Sequence, residues 1–176
     1  MPEERKLSVQ AVHLVRTATQ TNLALSQMAD QKASILMGAT FVVFTIAIGQ
    51  ASRGAVPLSL LVLAGFAFLS AMCAVAAILP SIASKGSGVM QPNLLFFGTF
   101  THLSEDEFAD RVLAELGDDE RIYRTMLRDI HQNGMVLQHK KYRFLRLAYL
   151  VFLVGLVATF AVFLFESRAW WSAVRL

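Results

Sequence analysis

Arg121, Arg124 and Arg128 stand at i, i+3 and i+7 in the stretch RIYRTMLRDIHQN. On a helix advancing 100 degrees per residue they share one side with His131. Guanidiniums so spaced are neighbours able to hold one phosphate through paired, charge-assisted hydrogen bonds. Tyr123 could stack on a base, although its angular position lies nearer the apolar side. A row of charges opposite an apolar face is also the ordinary pattern of a solvated helix surface, and spacing alone leaves both possibilities open.

A second feature is MADQKASILMGATF, residues 28–41, where Asp30, Gln31 and Lys32 give way without Pro, Gly or a turn cluster to an almost purely apolar run. Elsewhere the chemistry is sparse. The chain has no GxxxxGK[ST], GxSxG or HExxH, and His13, His102, His131 and His139 lack the Cys or carboxylate companions of a metal site. Neither a catalytic residue nor a metal ligand is expected, so the chain is read as not an enzyme. The carboxylates of SEDEFAD fall where they complement the dipole of a helix start. Cys73 is the single cysteine, which rules out an intramolecular disulfide, and it lies in an apolar run as an inert thiol.

The elements that must position these residues follow from composition. Of 176 residues 55% are hydrophobic and only 16% charged, where a soluble domain carries roughly 25% charged residues. Three runs approach the about 20 apolar residues that a bilayer requires: residues 33–50, 56–82 and 145–165. Backbone groups in hydrocarbon need internal partners, and the alternation of a barrel is missing, so the runs must be helices. The first contains Thr40 and Thr45, whose hydroxyls can bond back to their own helix. Thirteen of the sixteen Lys and Arg residues precede the first run or lie between the second and the edge of the third. Positive charge stays inside, which makes segments 1–32 and 83–144 cytoplasmic, the loop 51–55 and tail 166–176 periplasmic, and Trp170 and Trp171 an outer interfacial anchor. The polar start MPEERKLSVQ does not resemble a cleavable signal peptide, so processing is not expected. The charge of +3 is too small to argue for nucleic acid.

Before the first run, Ala11, Val15, Ala18, Asn22, Leu25, Ala29, Lys32 and Leu36 repeat with the 4,3 spacing of a seam that faces a partner helix. Asn22, a polar residue within it, is expected to fix register. After the second run, SKGSGVMQPN reads as a turn or mobile connector. Ser104 and Glu107 match a capping box and Gly117 a stop, predicting a helix over 104–116. From Asp118 or Asp119 a long helix continues into the third run, with Gly134 as its weak point. Ile122, Met126, Ile130, Asn133, Leu137, Lys141 and Phe144 share its apolar face. The fold expected is an all-α membrane protein with three transmembrane helices, the first and third extended into a cytoplasmic helical bundle. Small residues (Gly65, Ala67, Ser70, Ala71, Ala74, Ala77, then Gly155 and Thr159) permit close helix approach and assembly into a homo-oligomer.

Asn22, then ADQKASIL running into the first span, a second span, LLFFGTF at 94–100, an acidic helix from Ser104, and HKKYRFLRLAYL at 139–150 come in an order that resembles the transmembrane effector domain of Pycsar antiphage systems, the PycTM family. The likeness covers roughly residues 10–165. It implies an inner-membrane effector whose activating ligand is a cyclic pyrimidine mononucleotide, cyclic UMP or cyclic CMP, made by a partner nucleotidyl cyclase. The effector then impairs the membrane, and the infected cell dies before phage mature. Related domains also resemble effectors of CBASS defence that answer to cyclic oligonucleotides, and a non-signalling membrane assembly factor is the third possibility. No cofactor and no nucleic-acid partner are implied. The resemblance matches Asp30 and Lys32 to the family's acid and base before the first span, with Lys141 and Tyr142 at a comparable depth on the helix entering the third. An unpaired charge there is costly, so pairing Asp30 with a base from the other long helix would form a structural latch or switch.

Overall fold

The computed structural model describes residues 8–51, 54, 56–79 and 93–174, without the side chains of residues 51, 97 and 169–174. The stretch 1–7, Arg53, most of the SKGSGVMQPN connector, the end of the expected second span and the rings of Trp170 and Trp171 lie outside this description. The described residues form helices and no strand: α1 (Ala11–Ala51), α2 (Leu58–Ile78), α3 (Phe97–Phe100), α4 (Glu105–Glu115), α5 (Asp119–Val136), a π-helical segment (Leu137–Tyr142) and α6 (Arg143–Val174). Three stretches are long and apolar enough to cross a membrane: α1, α2 and the continuous run from α5 into α6. Only 11 to 22% of their most apolar windows is buried. Phe41, Val42, Phe68, Leu153 and Phe160 face outward, an apolar surface that water would not tolerate at this extent and lipid covers. The chain is a membrane protein.

The chain divides into two compact units. One comprises residues 27–79 and 139–176: most of α1, with α2 and α6. Its core joins Ala29, Ala33 and Leu36 of α1, Ala74 and Ala77 of α2, and Leu145 and Ala148 of α6. Small side chains let the backbones approach closely. Ser70 Oγ donates to the Ala148 carbonyl at 2.8 Å, and a Cβ at Gly155 would collide with Phe66 Cβ. The small residues Ala67, Ser70, Ala74 and Ala77, read as permitting close helix approach, are buried where α2 packs within the chain. Thr40 and Thr45 bond back to Met37 and Phe41 carbonyls, as expected for hydroxyls in an apolar helix.

The ends of α2 are satisfied by side chains from α6 and from the π-helical segment that precedes it. Helix α2 starts at Leu58, behind Pro57, and not at Val56, because proline's fixed φ suits a helix start and its missing N–H costs nothing there. The Glu166 carboxylate accepts from the Leu58 amide at 2.7 Å and the Ser59 amide at 3.4 Å. At the opposite end, Lys140 Nζ donates to the Leu79 carbonyl at 2.6 Å. An acid at the amino end and a base at the carboxyl end both complement the helix dipole.

The other unit comprises residues 1–26 and 80–138, with the start of α1 and all of α3, α4 and α5. The capping box is present: Ser104 Oγ accepts from the Glu107 amide at 3.2 Å, and Glu107 Oε2 accepts from the Ser104 amide at 3.3 Å. Gly117 does not take the left-handed conformation expected of a glycine stop, since Gly54 holds the one positive φ among the described residues. The break is made by Asp118, which caps α5 by accepting from the Glu120 amide at 3.3 Å. Gly134 passes without interruption, and regularity is lost three residues later in the π-helical segment.

Two seam positions also differ. Lys32 is exposed while Ala33 is fully buried, and Leu25 is 36% exposed while Ser26 is half-buried. The inward positions of α1 run Val15, Ala18, Asn22, Ser26, Ala29, Ala33, Leu36, Thr40, with two successive steps of four around Asn22. A straight helix drifts about 20 degrees per heptad against a strict seven-residue repeat, and the extra residue restores the phase. On α5 the same drift leaves Asn133 exposed and turns Gly134 inward.

Candidate functional site

Two constellations emerge, one in each unit. In the unit of α1, α2 and α6, Lys141 Nζ donates to both oxygens of Asp30, at 2.8 and 2.7 Å. The Lys141 side chain is 21% exposed and that of Asp30 42%. Asp30 reaches this position because its neighbours Ala29 and Ala33 are buried one residue before and three after it, which places the carboxylate at the rim of the core. Lys141 lies within the π-helical segment. A π turn carries an extra residue, so it shifts the facing of every side chain beyond it relative to a continuous α-helix. Tyr142 packs half-buried on the core cluster. Lys32 does not join the pair: its side chain is exposed, and its backbone carbonyl accepts from the Tyr149 hydroxyl at 3.2 Å. Of the residues singled out around Asp30, the structure thus unites Asp30, Lys141 and Tyr142 on one rim and turns Lys32 away.

In the other unit Asn22 Nδ2 donates to the Ile130 carbonyl at 3.1 Å, fastening α1 to α5. The arginine row is divided. Arg124 is exposed and paired with Glu120 one turn earlier, Nε to Oε1 at 2.8 Å. Arg121 is exposed, and Tyr123 is half-buried. Arg128 is half-buried and lines a cavity of about 300 Å³ together with Leu94, Thr99, Arg111, Glu115 and Thr125.

That cavity is framed by specific ties. Asn93, buried, donates through Nδ2 to Asp129 Oδ1 at 2.8 Å and accepts from the Leu95 amide at 2.9 Å. These bonds fold LLFFGTF back onto α5. The rings of Phe100 and Phe108 meet at 5.1 Å and hold α3 on α4. Thr125 Oγ1 donates to Glu115 Oε2 at 2.9 Å and joins α4 to α5. Arg111, Glu115 and Thr125 were not among the candidates read from sequence. One signal was available for Arg111: it is the sole basic residue in an otherwise acidic helix and sits between Lys85 and Arg121 with no other Lys or Arg between. Among the described residues no group of three or more His, Cys, Asp and Glu side chains could hold a metal ion.

Comparison with known proteins returns one family. The model of the Pycsar effector protein domain, PycTM, matches residues 13–166, which takes in all three apolar helices and both constellations. Neither a curated protein nor a solved structure matches the chain.

Proposed function

Since the chain belongs to the Pycsar effector protein domain family, we propose that it is the membrane effector of a cyclic-nucleotide-signalled antiphage system. A partner nucleotidyl cyclase supplies a cyclic pyrimidine mononucleotide, cyclic UMP or cyclic CMP. The nucleotide drives copies of the chain to rearrange or oligomerise in the inner membrane, the membrane is impaired, and the infected cell is lost before phage mature. The chain acts by binding and not by catalysis. The excess of Lys and Arg before the first span and between the second and third supports a cytoplasmic N-terminus and a periplasmic C-terminus.

The observation that carries this reading is the extent of the family match laid over three apolar helices whose outward faces are uncovered by the chain itself. Three spans enclose little room for an aqueous path, so several copies are needed to perforate a bilayer. A ligand changes such an arrangement only through differential affinity, and a near-complete switch takes about 5.5 kcal/mol. One charged ligand per copy, counted over an oligomer, reaches that value readily. Both α1 and the run from α5 into α6 contribute residues to each unit, which supplies two covalent routes for a signal received by α4 and α5 to reach the spans.

The test is co-expression in a bacterial host. With the cyclase encoded beside this gene, cells should stop growing and admit a membrane-impermeant dye; with a cyclase mutated in its metal-binding carboxylates, they should not. Dye exclusion and normal growth alongside an active cyclase and inserted protein would reject the effector role.

A further inference from the structure

The cavity framed by α3, α4 and α5 has a composition that selects a ligand. Resting on the effector reading above, we infer that Arg111 and Arg128 form the anion seat of this chain's ligand site, and that the site takes a singly charged phosphodiester the size of one nucleotide. Two guanidiniums and one carboxylate, Glu115, leave one positive charge in the lining. That balances the single negative charge of a cyclic mononucleotide and under-compensates the two or more charges of a cyclic oligonucleotide. Volume points the same way, since about 300 Å³ is the lower end of the roughly 300–1,000 Å³ of small-molecule sites.

The remaining lining suits the rest of such a molecule. Thr125 fixes Glu115 through Oε2 at 2.9 Å, which leaves Oε1 to accept from a sugar hydroxyl or a base N–H. Leu94 and Thr99 supply a wall for a ring, held in place by the Asn93–Asp129 bond. The site therefore joins one apolar wall to a few convergent polar groups, as small-molecule sites do. Arg121 and Arg124 do not line the cavity, and Arg124 is engaged by Glu120. A ligand bridging Arg111 and Arg128 would tie α4 to α5 by charge, beside the hydrogen bond from Thr125 to Glu115.

Calorimetric titration of the purified full-length protein in detergent tests this, with cyclic UMP, cyclic CMP, a cyclic dinucleotide and inorganic phosphate as probes. A cyclic mononucleotide should bind, the cyclic dinucleotide at least tenfold more weakly, and phosphate more weakly still. Arg111→Gln and Arg128→Gln should each weaken binding about tenfold or more, the scale of a lost charge-assisted hydrogen bond, while Arg121→Gln stays within about twofold of wild type. Leu94→Trp fills the cavity without touching its charge and should also abolish binding, which covers the case of an arginine variant that fails to fold. Wild-type affinity in folded Arg111→Gln and Leu94→Trp would overturn the placement and leave the effector reading standing. Tighter binding of the cyclic dinucleotide would overturn the size and charge argument. If no probe binds although the co-expressed cyclase still makes cells admit dye, the inference fails alone; if dye entry fails as well, the effector reading fails with it.

Discussion

Removing the Asp30–Lys141 pair should release the protein from its resting arrangement in the absence of any cyclase. The magnitude lies between two limits. A fully exposed ion pair contributes about 0–1 kcal/mol, whereas stripping one partner from a buried pair costs about 3–5 kcal/mol. Here the lysine is 21% exposed and the acid 42%, with two contacts of 2.7 and 2.8 Å, so a coupling of about 1–2 kcal/mol is expected, between these limits. That corresponds to a shift of roughly 5- to 30-fold in a two-state equilibrium. Starting from roughly one active copy in a hundred, Asp30→Asn would raise the active share to roughly 5–25%. The assay is dye entry into cells expressing the variant alone, with membrane insertion verified by fractionation. Asp30→Asn and Lys141→Met should each admit dye without cyclase, and the exchange Asp30→Lys with Lys141→Asp should recover much of the wild-type tightness. Wild-type behaviour of both single variants, or an exchange no better than either, would refute the latch.

Three further outcomes follow from packing and capping. Gly155→Leu forces atoms into the position where even a Cβ would collide with Phe66; it should destabilise the detergent-solubilised protein by about 1–3 kcal/mol, and adding Phe66→Ala should recover part of the loss in thermal unfolding. Ser104→Ala removes the capping box of α4 and should cost about 1 kcal/mol, read as faster hydrogen exchange over residues 105–108. Asn22→Ala deprives the Ile130 carbonyl of its donor and should cost about 0.5–1.5 kcal/mol, with faster exchange in α5 near Asn133 and Gly134.

What sequence could reveal here depended on range. The three apolar runs, the Ser104 capping box and the isolated acid at Asp30 are local signals, each complete within a few residues, and the helices and cap form where those signals stand. The double step of four around Asn22 was hidden because neither a Ser nor an Ala marks an inward position by its chemistry. The π-helical segment at Leu137–Tyr142 carries no Gly or Pro to announce it, so the facing of Lys141 could not be read by counting from α5. Glu166 beneath α2 and Gly155 beneath Phe66 are contacts across about a hundred residues, and only the folded chain joins them. The arginine row illustrates the same limit: spacing grouped Arg121, Arg124 and Arg128, but Glu120 holds one of them and the cavity selects Arg128 together with Arg111, which lies on another helix.

The proposed role requires that a nucleotide acting on this chain alone open a bilayer. Purified protein reconstituted into liposomes loaded with a self-quenching dye, at several protein-to-lipid ratios, would measure it. The prediction is dye release on adding cyclic UMP or cyclic CMP, steep in protein density and reduced by Arg128→Gln; liposomes that stay sealed at saturating nucleotide, with the protein inserted and helical, would contradict it.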